Sequence, residues 1–244
     1  VVAGPAGHPS AILALHSLLT EHWCFRAHAA LYATNEGNRQ TMSDSTASRA
    51  DATRARIEEV AERLFRSMGY QKTAVADIAR ELGMSPANVY RFYPSKSAIN
   101  EAIAARLLGG LEAGAWDIAR GQGPASERLR RLLRHLHTQH LSLFYAERRL
   151  HDMVTAAMAE AWGVIDRFIH SITGAIRHVV MDGIASGEFA RLDPEQTAIT
   201  IKQAIMVFNH PALVTECLAE RMTEAEMSAQ SEHMSEFLLR ALRP

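Results

Sequence analysis

The chain has 244 residues, room for one large or two ordinary domains. Hydrophobic residues make up 48%, charged residues 22% and aromatics only 7%, a core-forming composition rich in helix formers that excludes a disordered chain. The formal net charge of -1 carries no sign of a polyanionic partner until the chain is divided.

Residues 1–47 differ in character from the remainder of the chain. Gly, Pro, His, Ser, Thr and Asn are scattered through them, and Asn35 to Ser48 shows no apolar periodicity. The apolar stretch Ala11 to Leu19 is broken by His16 and Ser17, short of the ~18–20 residues a membrane span needs. It has no basic lead or small-residue cleavage site of the kind a signal peptide carries. Residues 11–33 can form a helix, without a clear cap. Met42 opens a polar arm leading into a strong helix, so residues 1–41 are expected to stem from an upstream start or added sequence and to stay outside the fold. An extra helix packed on the body is the other reading. Cys24 and Cys217 lie far apart with no CxxC pairing, which disfavours a disulfide framework or structural zinc and fits a reducing cytoplasm.

From residue 53 the pattern turns regular. Ile57, Val60, Ala61, Leu64, Phe65 and Met68 repeat at helical period, and Gly69 stands where a helix ends. Thr73 is expected to cap a short second helix with Val75, Ile78, Ala79 and Leu82, closed by Gly83. Ser85-Pro86 starts a third, a side-chain cap and then a proline at the first helical position, and Pro94 stops it early. Ser95 caps a long fourth helix with Ile99, Ile103, Leu107 and Leu111 inward. A fifth helix is expected over about 126–145, a sixth near 147–158 and a long one over 160–185, ended by Gly187. Asp193-Pro194-Glu195-Gln196 and Thr223-Glu224-Ala225-Glu226 both read as capping boxes opening the last two. No segment alternates like a strand, so the fold class is all-α.

Two short helices joined by a tight turn, the second about two turns long, make a helix-turn-helix. The major groove is ~12 Å wide and admits one such helix. Charge agrees in sign: residues 49–96 hold nine Lys/Arg against six Asp/Glu, whereas residues 97–244 hold fifteen against eighteen. The stretch Thr73 to Ser97 (TAVADIARELGMSPANVYRFYPSKS) resembles the DNA-binding signature of the tetracycline-repressor (TetR/AcrR) family. Matching points are Thr73, Asp77-Ile78-Ala79, Gly83, Ser85, Val89-Tyr90, Phe92-Tyr93 and Ser95-Lys96. The resemblance spans residues 53–105 and the general layout of the body.

It implies a homodimer whose recognition helices meet successive major grooves of a pseudo-palindromic DNA operator. By position, Ser85, Pro86, Ala87, Asn88 and Arg91 would face the groove, with Asn88 and Arg91 able to read base edges. Thr73, Tyr90, Tyr93 and Lys96 would hold phosphates, and Phe92 would serve the core. The plainer alternatives are that Tyr90 and Tyr93 are core residues and that Asn88, Arg91 and Lys96 are solvated surface.

The implied domains are an N-terminal extension (1–47), a helix-turn-helix DNA-binding domain (48–97) and a ligand-binding and dimerisation domain (98–244). A small-molecule effector is expected among the body helices, lined by Trp116, Phe144, Met153, Met158, Trp162, Ile165, Met206 and Phe208. Ordinary core packing competes at each. His135, His137, His140 and His151 cluster without supporting ligands and among arginines, so no metal is expected. Ile201, Ala204, Ile205 and Phe208, with Met234, Phe237, Leu238 and Leu242, supply faces for a four-helix dimer contact or for the subunit's own core. Nucleophile-elbow, phosphate-loop and dinucleotide motifs are lacking, so neither an enzyme nor a cofactor is expected. The expected function is a cytoplasmic, sequence-specific repressor released by a ligand. The alternative is a DNA-organising or protein-interacting helix-turn-helix protein without an inducer.

Overall fold

The apolar stripe Ile57, Ala61, Leu64 and Phe65 forms the inward face of α1 (Asp44–Met68) in a computed structural model that describes residues 44–145, 163–220 and 222–244. The expectations for residues 1–41, for the helix near 147–158 and for His151, Met153, Met158 and Trp162 lie outside the described residues. So does the side chain of Phe144. α1 starts before the predicted residue 53, and Met68 leaves the stripe, 40% exposed at the helix end.

Gly69 and Gly83 have positive φ (94° and 66°), a region that costs glycine little, and turn the chain into α2 (Val75–Glu81) and α3 (Pro86–Tyr90). The predicted cap on α2 shifts by one residue. Ala74 takes the cap position, and the Asp77 carboxylate reaches back to its N–H at 2.9 Å. That contact, with Arg80 alongside, holds the Asp77 carboxyl below its usual range. Ser85 caps α3 by accepting the Asn88 N–H, and Ser95 caps α4 (Lys96–Ala119) by accepting the Ala98 N–H, both as expected. Ile57, Phe65, Ile78, Val89, Ile99 and Ile103 are fully buried together and make the core of this head.

α4 belongs to two cores. Its first half supplies Ile99 and Ile103 to the head, and its second half supplies Leu111, Ala115 and Ala119 to the body. There it packs on α5 (Ala125–His140) and α6 (Gly163–Ser186), and the same core takes in α7 (Pro194–Ala204) against α6 and α9 (Glu224–Ala241) against α5, through residues such as Leu129, Leu132, Leu136, Ile176, Val179, Ile201 and Leu239. Among the described residues every regular element is helical.

Two predicted helices end early. α5 gives way after His140 to a π turn (Leu141–Tyr145). α7 ends at Ala204 rather than carrying Phe208, which sits in a 3-10 turn (Met206–Phe208) before α8 (Pro211–Glu220). The reason is local. Asn209 donates its side-chain amide to the Ile205 carbonyl at 2.8 Å, and Pro211 disfavours helical geometry at His210.

Buried polar groups tie the body helices together. Arg128, only 7% exposed, donates from Nη1 to the Ala119 carbonyl at the end of α4 and to Asp182 on α6. His137 is also buried: Nδ1–H donates to the Phe208 carbonyl at 3.0 Å, and Nε2 shares a hydrogen bond with the Ser228 hydroxyl at 3.1 Å. His135 lies against the Leu111 carbonyl and His140 against that of Leu136. These three histidines serve helix packing.

Candidate nucleic-acid interface

α3 is five residues long and turns one side chain inward. Val89 is fully buried against the head core, whereas Ser85, Pro86, Ala87, Tyr90 and Arg91 are exposed and Asn88 is half-buried. One inward residue suffices because α2 packs behind α3 and the Met84 N–H closes the turn onto the Ala79 carbonyl at 2.9 Å. The outward edge is small at its start, with Ser85, Pro86 and Ala87, and polar further on. Among the described residues no side-chain hydrogen bond or ion pair engages the Asn88 amide or the Arg91 guanidinium. A duplex approaching this edge meets donors and an acceptor already uncommitted.

The expected phosphate contacts divide. Tyr90 is 50% exposed and projects from the same helix. Lys96 is half-buried, with Nζ donating to the Tyr70 carbonyl at 2.9 Å and lying 4.4 Å from the centre of the Tyr70 ring. It therefore pins the start of α4 to the turn after α1. Thr73 and Tyr93 depart from the expectation. Thr73 is 1% exposed and donates its hydroxyl to the Gly69 carbonyl at 2.9 Å, so its oxygen closes the α1–α2 turn. Tyr93 lies in the head core at 8% exposure, its hydroxyl donating to Glu58 Oε1 at 2.5 Å. Burial and then Glu58 raise the Tyr93 pKa well above the usual phenol value, so it stays a donor. Neither side chain reaches the surface in this conformation. Phe92 packs at the edge of the head core as expected, with the Arg54 guanidinium 6.0 Å over its ring.

Sequence reasoning passed over Lys72, Glu58 and Arg106. Lys72 is exposed in the α1–α2 turn next to Thr73. Arg106, on α4, pairs with Glu58 and Glu62 of α1. The four-residue spacing of Glu58, Glu62 and Arg66 was readable, but nothing local announces a partner more than forty residues away.

In the body, the expected ligand-lining residues Trp116, Ile165 and Phe208, whose side chains are described, pack in three separate clusters. Trp116 donates from Nε1 to the Ser171 hydroxyl at 2.9 Å, Ser171 in turn donates to Glu112, and Arg120 stacks 4.3 Å over the indole. This is a seam between α4 and α6. Ile165 packs near Ala104, Leu108 and Val164, while Phe208 packs with Val214 and Met227. Met206 is half-buried beside it in sequence. Of the expected dimer residues, the subunit itself buries Ile201, Ile205, Phe208, Leu238 and Leu242, leaving Ala204 and Met234 half-buried and Phe237 exposed.

Comparison with known proteins finds matches in two stretches of the chain. Residues 57–103 match the sequence model of bacterial regulatory proteins of the tetR family, and residues 125–229 match that of the tetracyclin repressor-like C-terminal domain. The chain belongs to the tetracycline-repressor family. It is a DNA-binding transcriptional regulator of that family, and its family and fold are those of transcriptional regulators. A relative, the HTH-type transcriptional regulator YhgD of Bacillus subtilis, is 27% identical over 175 residues, covering 67% of this chain and 88% of its own. A TetR/AcrR-family regulator from Thermobifida fusca shares the fold at TM-score 0.59 and 23% identity, over 79% of this chain and 100% of that one. A TetR-family regulator from Pectobacterium atrosepticum does so at 0.64 and 19%, over 84% and 98%. Among the described residues no helix is long and apolar enough to cross a membrane.

Proposed function

We propose that this regulator is a repressor that binds, as a homodimer, a pseudo-palindromic operator through α3, and that a small molecule held in the body releases it. The observation that carries the DNA-reading part is the asymmetry of α3, with Val89 sealed inward and the Asn88 and Arg91 polar groups presented outward and uncommitted. Ser85, Pro86, Ala87, Asn88 and Arg91 face the groove in this reading. Tyr90, Lys72 and Lys96 lie along the phosphates and set register. The DNA-binding segment ends near Ser97 in sequence, and α4 carries its motion into the body. Such a protein works where the chromosome is, in the cytoplasm.

Repression is supported by the likeness of residues 125–229 to a repressor's C-terminal domain. An effector can act only through different affinities for the DNA-bound and released states. The α4–α6 seam, where Trp116, Ser171 and Glu112 are linked, is where a body ligand would disturb the helix that also holds the head.

Selecting the preferred DNA from a random pool tests this reading. The expected product is a pair of inverted half-sites bound with a steep salt dependence. Recovery of no enriched sequence, or uniform coverage of the chromosome in genome-wide binding, overturns it in favour of a DNA-organising role. Screening small molecules for release of the selected operator then tests the effector.

A further inference from the structure

A polar cluster bridges α1 to both ends of the segment that leads from α3 into the body. Glu58 and Glu62 lie one turn apart on α1, and their side chains are only 17% and 14% exposed. All four of their carboxylate oxygens are engaged. Glu58 Oε1 accepts the Tyr93 hydroxyl, and Glu58 Oε2 stands 3.8 Å from Arg106 Nε. Arg106 Nη2 donates to Glu62 Oε2, while Glu62 Oε1 accepts from Arg66 Nε and Nη2 at 2.9 and 2.6 Å. Tyr93 closes the recognition unit, its N–H bonded to the Val89 carbonyl, and Arg106 lies in the middle of α4.

Apolar contacts hold the head together but are non-directional, and they permit small rotations of one helix on another. Hydrogen bonds to shielded carboxylates have preferred distances and angles and restrict such movement. Exposed ion pairs contribute little of this kind; here the Arg106 side chain is 51% exposed, and the shielding lies with Glu58 and Glu62. Without Arg106 the two carboxylates would face each other with one cation fewer, and their repulsion would shift Glu58 away from Tyr93.

We propose that Glu58 and Arg106 are positioning residues for operator binding, fixing the angle of α3 to α4 through Tyr93 while touching no DNA themselves. The proposal rests on α3 being the helix that reads DNA. It predicts that the two residues act as one device.

The test uses the full chain with Arg106→Gln, Glu58→Gln and the double variant, each well below its melting temperature. Each single change should weaken binding to the selected operator by roughly fivefold or more, and the double change no further than the worse single. The salt slope and the ranking of operator variants should stay as in the parent. Without DNA, amide exchange over residues 85–93 should quicken several-fold in each variant, while exchange in α5 stays unchanged. A merely structural contribution would lower the melting temperature without these changes in the folded protein. Operator affinity within twofold of the parent overturns the proposal. So does a salt slope reduced by about one in Arg106→Gln, which would make Arg106 a phosphate contact. Unaltered exchange over 85–93 also overturns it. Should the parent select no DNA, the reading of α3 fails, and the exchange measurement still decides whether the cluster positions that helix.

Discussion

Asn88 in α3 and Arg91 at its end are the two side chains offered for base reading, and the difference between them and their neighbours lies in commitment. Ser85 Oγ accepts the Asn88 N–H, the Val89 side chain fills the core, and the Tyr93 phenol donates to Glu58. The polar groups of Asn88 and Arg91 stay open to a duplex. Asn88→Ala should therefore relax preference at one base pair of each half-site, costing ~1–3 kcal/mol on the best sequence and little on a mismatched one. Competition titration against operator variants reads this, and an equal loss on every sequence would assign Asn88 to the backbone instead. Lys96 has a double engagement. Lys96→Ala should lower the salt slope by about one and also destabilise the head by ~1 kcal/mol, because the Tyr70 carbonyl and ring lose their cation. Thermal unfolding beside the salt titration separates the two effects. A short signature fixes the order of these residues, and with it the outward placement of Arg91 beside the inward Val89 could be read in the sequence. What a signature does not fix is which hydroxyl finds an internal acceptor, and Thr73 and Tyr93 depart from expectation for that reason.

Helix ends show the same limit at larger scale. Ser85, Ser95, Asp193 and Thr223 cap the helices they were expected to cap, since each needs only an N–H two or three residues onward. Thr223 and Glu226 form the reciprocal box, whereas Asp193 accepts from the Glu195 and Gln196 N–H groups as a one-way cap. The break after Ala204 is hidden in the sequence because Ile201, Ile205 and Phe208 keep helical spacing across it. The start of α5 was legible only in part, because its cap comes from elsewhere in the chain. Glu188, in the turn after α6, accepts from the Ala125 and Ser126 N–H groups and from the Ser126 hydroxyl at 2.8–3.0 Å. Partial burial pushes the Glu188 carboxyl up, but these hydrogen bonds, with that of Ser186, outweigh it and leave its pKa below the ordinary value. A lowered folded pKa means stability present above the unfolded value and lost as pH falls through the folded one. The parent should thus lose this contribution below the ordinary carboxylate range, and Glu188→Gln should unfold at lower temperature at pH 7 with a shallower acid dependence. Replacing a cap typically costs ~1 kcal/mol. Identical melting temperatures at neutral pH would show that the α5 terminus is satisfied without Glu188.

For the molecule as a whole, the question is what remains outward once two cores are closed. α9 sends Met227, Ser231, Ser235, Leu238 and Leu239 inward, and its Glu232 and Glu236 pair with Arg134 and Arg130 of α5. The opposite face carries Gln230, His233, Phe237 and Arg240, with Gln230, Arg240 and the Phe237 ring well exposed. Phe237 is 62% exposed, and a phenyl ring in the middle of a polar helical face resembles the anchor-and-rim pattern of an interface between subunits. The buried members of the expected dimer set serve the subunit's own core, so the proposed contact depends on Phe237 more heavily than periodicity alone suggested. Phe237→Arg keeps helix propensity, leaves every buried contact of α9 in place and puts two like charges where two rings would meet. The dimer dissociation constant should rise at least tenfold, about 1.4 kcal/mol, by sedimentation equilibrium. Operator affinity should fall with it at low protein concentration, because a second head bound to the first gains its half-site at high effective concentration and a free one does not. The loss should shrink as protein concentration is raised. If the variant stays dimeric at the parent's dilution limit, the contact between subunits lies elsewhere on the body and Phe237 is ordinary exposed surface.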